Sequence, residues 1–130
     1  MALLRVLICG SRSIQDKNLI WSKLDEIFSN TQDEIEILHG GATGPDVLGK
    51  NWAFQYKKVV NIRAFLPDWE RWGKGAGMLR NVQMLEAKPD MVIAFYDGIS
   101  KGTEHTIRQA HKRGIKTFVI ETNPEPKTLF

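Results

Sequence analysis

The apolar positions of this chain alternate between two patterns. Short runs rich in valine, isoleucine and leucine, the mark of buried strands, cover residues 3–9, 34–38, 59–65, 90–95 and 116–120. Between them the spacing turns helical. Residues 16–30 carry Ile20, Leu24, Ile27 and Phe28 on one face, and residues 43–56 place Leu48, Trp52 and Tyr56 four apart. Residues 70–87 contain a helix striped by Met78, Val82 and Leu85. Its opening, Gly73 to Gly77, is too rich in glycine for a comfortable helix and reads as a loop feeding it. Residues 100–113 turn Ile107, Ala110 and His111 inward and close at Gly114. The stretch 121–130, with Pro124 and Pro126, reads as a loosely ordered tail behind one domain over 1–120.

Five strands alternating with four helices imply parallel pairing through right-handed crossovers. The expected architecture is α/β: a three-layer, doubly wound sheet of about five parallel strands with helices on both faces. The 130 residues suffice for one such domain and leave no room for a second. With 42% hydrophobic and 25% charged residues, disorder, collagen and coiled-coil arrays are excluded as the main state. Cys9 stands alone, so no internal disulfide is available and a reducing, cytoplasmic setting fits. No apolar run approaches the roughly 18 residues of a membrane span. The apolar start reads as a buried strand rather than a signal peptide.

Net charge is +3, which permits anionic ligands without requiring a nucleic acid. The cluster Arg108, Lys112, Arg113 and Lys116 reads as a solvated helix face. The chemistry is expected where such sheets bind ligands, beyond the carboxyl ends of the strands. Three loops there combine glycine with a hydroxyl: Gly10-Ser11-Arg12-Ser13, His39 to Asp46, and Asp97 to Thr103. Glycines let backbone approach a ligand, and the helix starts that follow offer free amides and a positive dipole end to phosphate. The second loop is neither a P-loop, having no Gly-Lys-Ser/Thr, nor a dinucleotide fingerprint. A plain strand-to-helix turn capped by Thr43 or Asp46 explains it equally, as capping by Ser100 or Thr103 explains the other.

Arg12 and Arg80 are candidate phosphate grips, with surface salt bridges to Asp46 or Asp68 as the alternative. Trp69 is a candidate for stacking on a base, whereas Trp72 reads as a packing residue. His39 reads equally as a ligand contact and as a buried, hydrogen-bonded histidine. His105, His111 and Cys9 look structural. No cysteine–histidine cluster has metal spacing and no nucleophile elbow appears, so neither metal nor required cofactor is expected.

Taken in order, Gly10-Ser11-Arg12, His39-Gly40-Gly41-Ala42-x-Gly44-x-Asp46, Asp68-Trp69, Gly75-x-Gly77-x-x-Arg80-Asn81-x-x-Met84 and Lys101-Gly102-Thr103 with Ala110 and Gly114 resemble the SLOG superfamily. The likeness is greatest to its small stand-alone branch of YspA- or YpsA-related proteins, often encoded by bacteria and their phages. It spans about residues 4 to 120. It implies a Rossmann-like fold and a nucleotide or nucleotide-derived ligand at the glycine-rich edge. In the Lonely Guy branch, which hydrolyses the N-glycosidic bond of nucleoside monophosphates, an Arg-Lys-x-x-Met segment resembles Arg80-Asn81-x-x-Met84, so Arg80 becomes a catalytic candidate. That branch's Pro-Gly-Gly-x-Gly-Thr-x-x-Glu motif is broken here: the Pro-Gly-Gly is missing, Thr106 takes the glutamate's place and Glu104 falls two positions early. Asp46 and Asp68 are the carboxylates left to substitute. The DprA branch, which binds single-stranded DNA, also shares Gly-Ser-Arg, Arg-Asn and Gly-Thr.

The expected ligand is therefore a nucleotide or nucleotide-derived small molecule, sensed, sequestered or processed. The amides of Gly40, Gly41, Ala42, Gly102 and Thr103 are expected to face phosphate, beside Gly10 and Thr43. Arg12, Arg80 and Lys101 supply charge, Ser11 and Asn81 hydrogen bonds, and Asp46 a loop anchor or ribose contact. An N-glycosidase and a single-stranded nucleic-acid binder are the alternatives. Related folds commonly pair through helices, which leaves a homo-oligomer open.

Overall fold

The computed structural model describes residues 2–122. Five strands, β1 (Leu3–Gly10), β2 (Glu34–His39), β3 (Val59–Ala64), β4 (Met91–Tyr96) and β5 (Lys116–Glu121), form one parallel sheet in the order β3-β2-β1-β4-β5. The chain winds outward from β1 to β3, crosses back, and resumes on the other side of β1. The strand order thus reverses between β1 and β4. Glu121 ends β5, and the Thr122 amide donates to the Tyr96 carbonyl, so the strand outlasts its expected end by one residue. The rest of the expected tail, from residue 123 on, lies outside the described residues.

Helices cover both faces. Against one face pack α1 (Lys17–Phe28) and α2 (Pro45–Gln55), which bury Ile20, Leu24, Phe28, Trp52 and Ala53 on Val6, Ile8, Ile35, Ile37 and Ile93. Phe28, Trp52 and Tyr56 stack there, with centroids 5.6 Å apart for the first pair and 4.5 Å for the second. Against the other face pack α4 (Ala76–Glu86) and α5 (Lys101–Lys112), which bury Met84, Leu85 and Ala110 on Leu7, Cys9, Leu38, Val92 and Ala94. The two cores are the two sides of one pleat: Val6 and Ile8 point one way, Leu7 and Cys9 the other. Cys9 is a buried free thiol, as its place on an inner strand suggests.

Three expectations change. The glycine-rich stretch is not a loop: α3 (Trp69–Trp72) runs through a 3₁₀ turn, Gly73–Gly75, into α4. Asp68 starts it by accepting from the Arg71 amide at 3.1 Å, which compensates locally for poor propensity. The buried stripe of α4 is Ala76, Arg80, Asn81, Met84 and Leu85, while Met78 is exposed. A polar pair on the inward face disguised that stripe. On α5, Thr103, Thr106 and Ala110 face in and His111 faces solvent, because the inward line again includes hydroxyls.

Away from the site, Glu36 is buried in the sheet and spans three strands. It accepts from Arg5 Nε and Asn61 Nδ2, both at 2.7 Å, with Arg63 at 3.9 Å. Burial pushes its carboxyl up, but these donors and charges outweigh it and hold it below the usual range. Glu36→Leu should leave Arg5 without its acid and is expected to cost about 1–3 kcal/mol in urea unfolding.

Candidate functional site

At the reversal of strand order, the ends of β1 and β4 open into a cleft of about 430 Å³. Its lining comes from four segments of the chain at that edge. The loop after β1 gives Gly10, Arg12 and Ser13; the loop after β2 gives Ala42 and Asp46; α3 and α4 give Trp69, Lys74, Gly77, Met78, Arg80 and Asn81; the loop after β4 and the start of α5 give Asp97, Ser100, Gly102, Thr103 and Thr106. Nine of these were expected: Gly10, Arg12, Ala42, Asp46, Trp69, Arg80, Asn81, Gly102 and Thr103.

The glycine loop after β2 is organised from within. Asp46, on the first turn of α2, is buried and accepts from the Gly40 amide at 2.7 Å. The Gly41 amide donates to His39 Nδ1 at 3.1 Å, so His39 is the buried, hydrogen-bonded histidine of the two readings. That bond needs a neutral imidazole, and burial, with Lys50 and Arg80 nearby, holds the His39 pKa down. The Gly40 and Gly41 amides are therefore engaged inside the chain rather than free for a ligand. Gly41 adopts φ of +72° and Gly44 +86°, backbone that suits glycine.

Arg80 lies across Gly40. Its Nη1 donates to the Gly40 carbonyl and its Nε donates to Asn81 Oδ1 at 2.8 Å. An added Cβ on Gly40 would stand 2.7 Å from Arg80 Cζ, so only glycine admits the guanidinium here. Arg80 and Asn81 are each 9% exposed. Neither Arg80 nor Arg12 makes an ion pair among the described residues, so the salt-bridge alternative does not describe them.

The loop after β4 is held by Asp97. Its Oδ1 accepts from the amides of Ile99 and Ser100, both at 2.8 Å, and its Oδ2 accepts from Ser13 Oγ at 2.7 Å. Burial pushes this carboxyl up, yet the two amides and the hydroxyls of Ser13 and Ser11 prevail and hold it at about 2. Ser100 caps α5. The amides of Lys101 and Gly102 have no partner among the described residues, and a Cβ on Gly102 would meet nothing within 4 Å. Ser11 is buried behind the cleft, where its hydroxyl meets Thr103 Oγ1 at 3.3 Å and accepts from the Asp97 amide. It ties two loops together rather than lining the cavity. Thr43 and Lys101 point to solvent and also stay out of the lining.

Trp69 is 51% exposed at the cleft mouth. Trp72 is 49% exposed beneath Arg71, whose guanidinium sits 5.0 Å from the ring centroid. Trp72 is thus no core anchor: α3 buries no residue at all. Asp68 caps α3 and does not reach the cleft. Lys74, Met78, Asp97 and Ser13 were not among the expected ligand residues, although two of the candidate loops carried Ser13 and Asp97. Ser13 had the signal of a hydroxyl beside a glycine turn, and Asp97 that of an Asp-Gly turn directly before a capped helix.

The two cleft carboxylates have opposite environments. Burial pushes Asp46 up to about 6, against the pull of the Gly40 amide and Arg80. Raised above its unfolded value, Asp46 contributes stability that is full below about pH 4 and lost as pH rises through 6. Urea unfolding of wild type and Asp46→Asn should show the wild-type advantage shrinking by roughly 3 kcal/mol across that window. A flat difference overturns the assignment.

A family model described as YAcAr, the YspA, cpYpsA-related SLOG family, matches residues 4–72. The chain is 39% identical over 123 residues to the Gene 61 protein of Mycobacterium phage D29, a match covering 92% of this chain and 98% of that protein. No solved structure matches. Among the described residues no helix is long and apolar enough to cross a membrane, and no group of acidic, histidine and cysteine side chains is placed to hold a metal.

Proposed function

The chain belongs to the YspA, cpYpsA-related SLOG family, and on that premise we propose that it binds a nucleotide or nucleotide-derived small molecule in the cleft between β1 and β4. One observation carries the reading: cationic, amide-donating and aromatic groups from the loop after β1, from the helical stretch α3 to α4 and from the start of α5 converge on a single cavity of ligand size at the strand-order reversal. In this reading phosphate enters at the start of α5, where the amides of Lys101 and Gly102 are free and Thr103 lies alongside. Arg12 and Lys74 supply positive charge at the rim. Trp69 offers its face to a base at the mouth. The glycine loop after β2 contributes shape, because Asp46 already takes its amide.

The test is thermal stabilisation by a panel of nucleoside mono-, di- and triphosphates, cyclic nucleotides, NAD and ADP-ribose. A ligand at a hundred times its dissociation constant raises stability by about 2.7 kcal/mol. A shift with one compound that Trp69→Ala weakens supports the reading. No shift with any compound, beside salt-sensitive binding of single-stranded oligonucleotides, replaces it with the nucleic-acid reading.

A second reading, N-glycoside hydrolysis, has one observation in favour: Asp46 lines the cleft and holds its proton up to about pH 6, which suits a general acid. Against it, Thr106 stands where the related enzymes carry glutamate, and its hydroxyl donates to the Gly102 carbonyl at 3.1 Å. Glu104 points outward and pairs with Arg108. Release of free base from nucleoside monophosphates, absent in Asp46→Asn, would establish this reading.

A further inference from the structure

We propose that the deep end of the cleft is an oxyanion seat built from two side-chain donors, Arg80 Nη2 and Asn81 Nδ2, and that Asn81 sets its specificity by presenting hydrogens only. The inference rests on the cleft being a ligand site, and it adds what the floor accepts and how the ligand is oriented.

A chain of hydrogen bonds leads to those donors. Asp46 takes the Gly40 amide at 2.7 Å, which fixes the peptide plane of the loop. The Gly40 carbonyl takes Arg80 Nη1. Arg80 Nε then donates to Asn81 Oδ1 at 2.8 Å. That last bond decides which way the amide of Asn81 faces, since the acceptor end is used up on arginine. What remains is Nδ2, with two hydrogens, and Nη2, with two more. Neither atom has a protein partner among the described residues. Both residues are nine-tenths buried, yet neither atom is closed off from solvent, and the surface both residues line is the cleft. Donors that reach the cleft with no acceptor from the protein are free to bond the acceptors of a ligand.

The seat favours an oxyanion over a neutral carbonyl because one donor is a guanidinium, and charge-assisted bonds are the stronger class. It repels amines and other donor groups. Asp46 sets a limit from behind: its carboxylate already fills the position an oxyanion would take on the glycine loop, so that loop is a support for Arg80 and not itself the seat. A nucleotide with more than one phosphoryl group then places one on this seat and another at the start of α5, with its ring outward at Trp69.

The experiment is a titration with inorganic phosphate at constant ionic strength, chloride replacing phosphate in the control. In a ¹⁵N spectrum of the wild-type protein, the side-chain amide pair of Asn81 should shift with phosphate and not with chloride. Asn81→Leu, which removes donors without adding charge, and Asn81→Asp, which replaces them with a carboxylate, should each weaken phosphate at least about tenfold, the aspartate more. An unmoved Asn81 amide at saturating phosphate, or a folded variant that keeps phosphate affinity within about twofold, overturns the seat. The broader reading fails separately. If a nucleotide from the panel binds while Asn81 stays unmoved, the nucleotide site stands and the seat falls. If the panel and phosphate both fail to bind, both fall.

Discussion

Arg80→Leu is expected to weaken any nucleotide that stabilises the wild type by about a hundredfold, measured by calorimetric titration. Leucine fills much of the same space but returns none of the hydrogen bonds. Nη2 disappears from the cleft, and Asn81 loses the bond that fixes its amide. The Gly40 carbonyl loses Nη1, and Asp46 loses a nearby cation that helps keep it ionised. Stability should also fall, by about 1–3 kcal/mol, because a buried acceptor goes unsatisfied. Arg80→Lys separates the two effects: it keeps the charge but cannot bridge Gly40 and Asn81 together, so binding should recover only in part. Affinity for Arg80→Leu within about threefold of wild type would remove Arg80 from the site.

The largest loss of stability is expected from Gly10→Ala. Gly10 ends β1 opposite Phe95 of β4, at the centre of the sheet. An added Cβ would lie 2.6 Å from the Phe95 carbonyl oxygen and 2.5 Å from Pro45 Cγ. One neighbour is backbone and the other is a rigid ring at the start of α2, so neither can swing aside. Relief requires β1 and β4 to part or α2 to lift. A cost of about 3 kcal/mol or more follows, on the order of 10 °C in melting temperature for a chain of this size. Gly102→Ala is the matching control. Its Cβ meets nothing within 4 Å, it sits in the first turn of a helix, and its amide is retained, so stability should hold or rise slightly. Equal melting temperatures for the two variants would mean that the contacts at Gly10 yield more easily than their geometry implies.

Much of this architecture was legible in the chain. Strands buried on both faces announce themselves as dense apolar runs, and α1 shows its stripe of Ile20, Leu24 and Phe28 plainly. The stripe of α4 did not show, because its buried face carries Arg80 and Asn81, which look like surface residues until the Gly40 carbonyl is seen beneath them. The same interaction hid the meaning of the glycine loop. Glycine there looks like room for a phosphate, whereas Gly40 makes room for the guanidinium of Arg80, a residue 40 positions on. Asp46 gave its position but not its burial. Local pattern marks the edge of the sheet where the cleft lies; which donors are spent and which are free depends on contacts between loops far apart in sequence.

The strand order also has a consequence for synthesis. β1 is the central strand, but its second neighbour, β4, begins at Met91. While the chain emerges from the ribosome, β1 can pair with β2 early, and its other edge stays bare until some 85 further residues have appeared, the separation between Arg5 and Asp90 whose backbones later join. The first half, β1 to β3, is thus an open sheet with an unpaired inner edge and one uncovered face, a state prone to mispairing. High contact order of this kind makes the closing step slow. The cleft exists only after that closure, since two of its walls arrive with α4 and α5. A nascent or truncated half of the chain would therefore carry the glycine loop and most of the residues that the family model matches, yet lack two walls of the cleft.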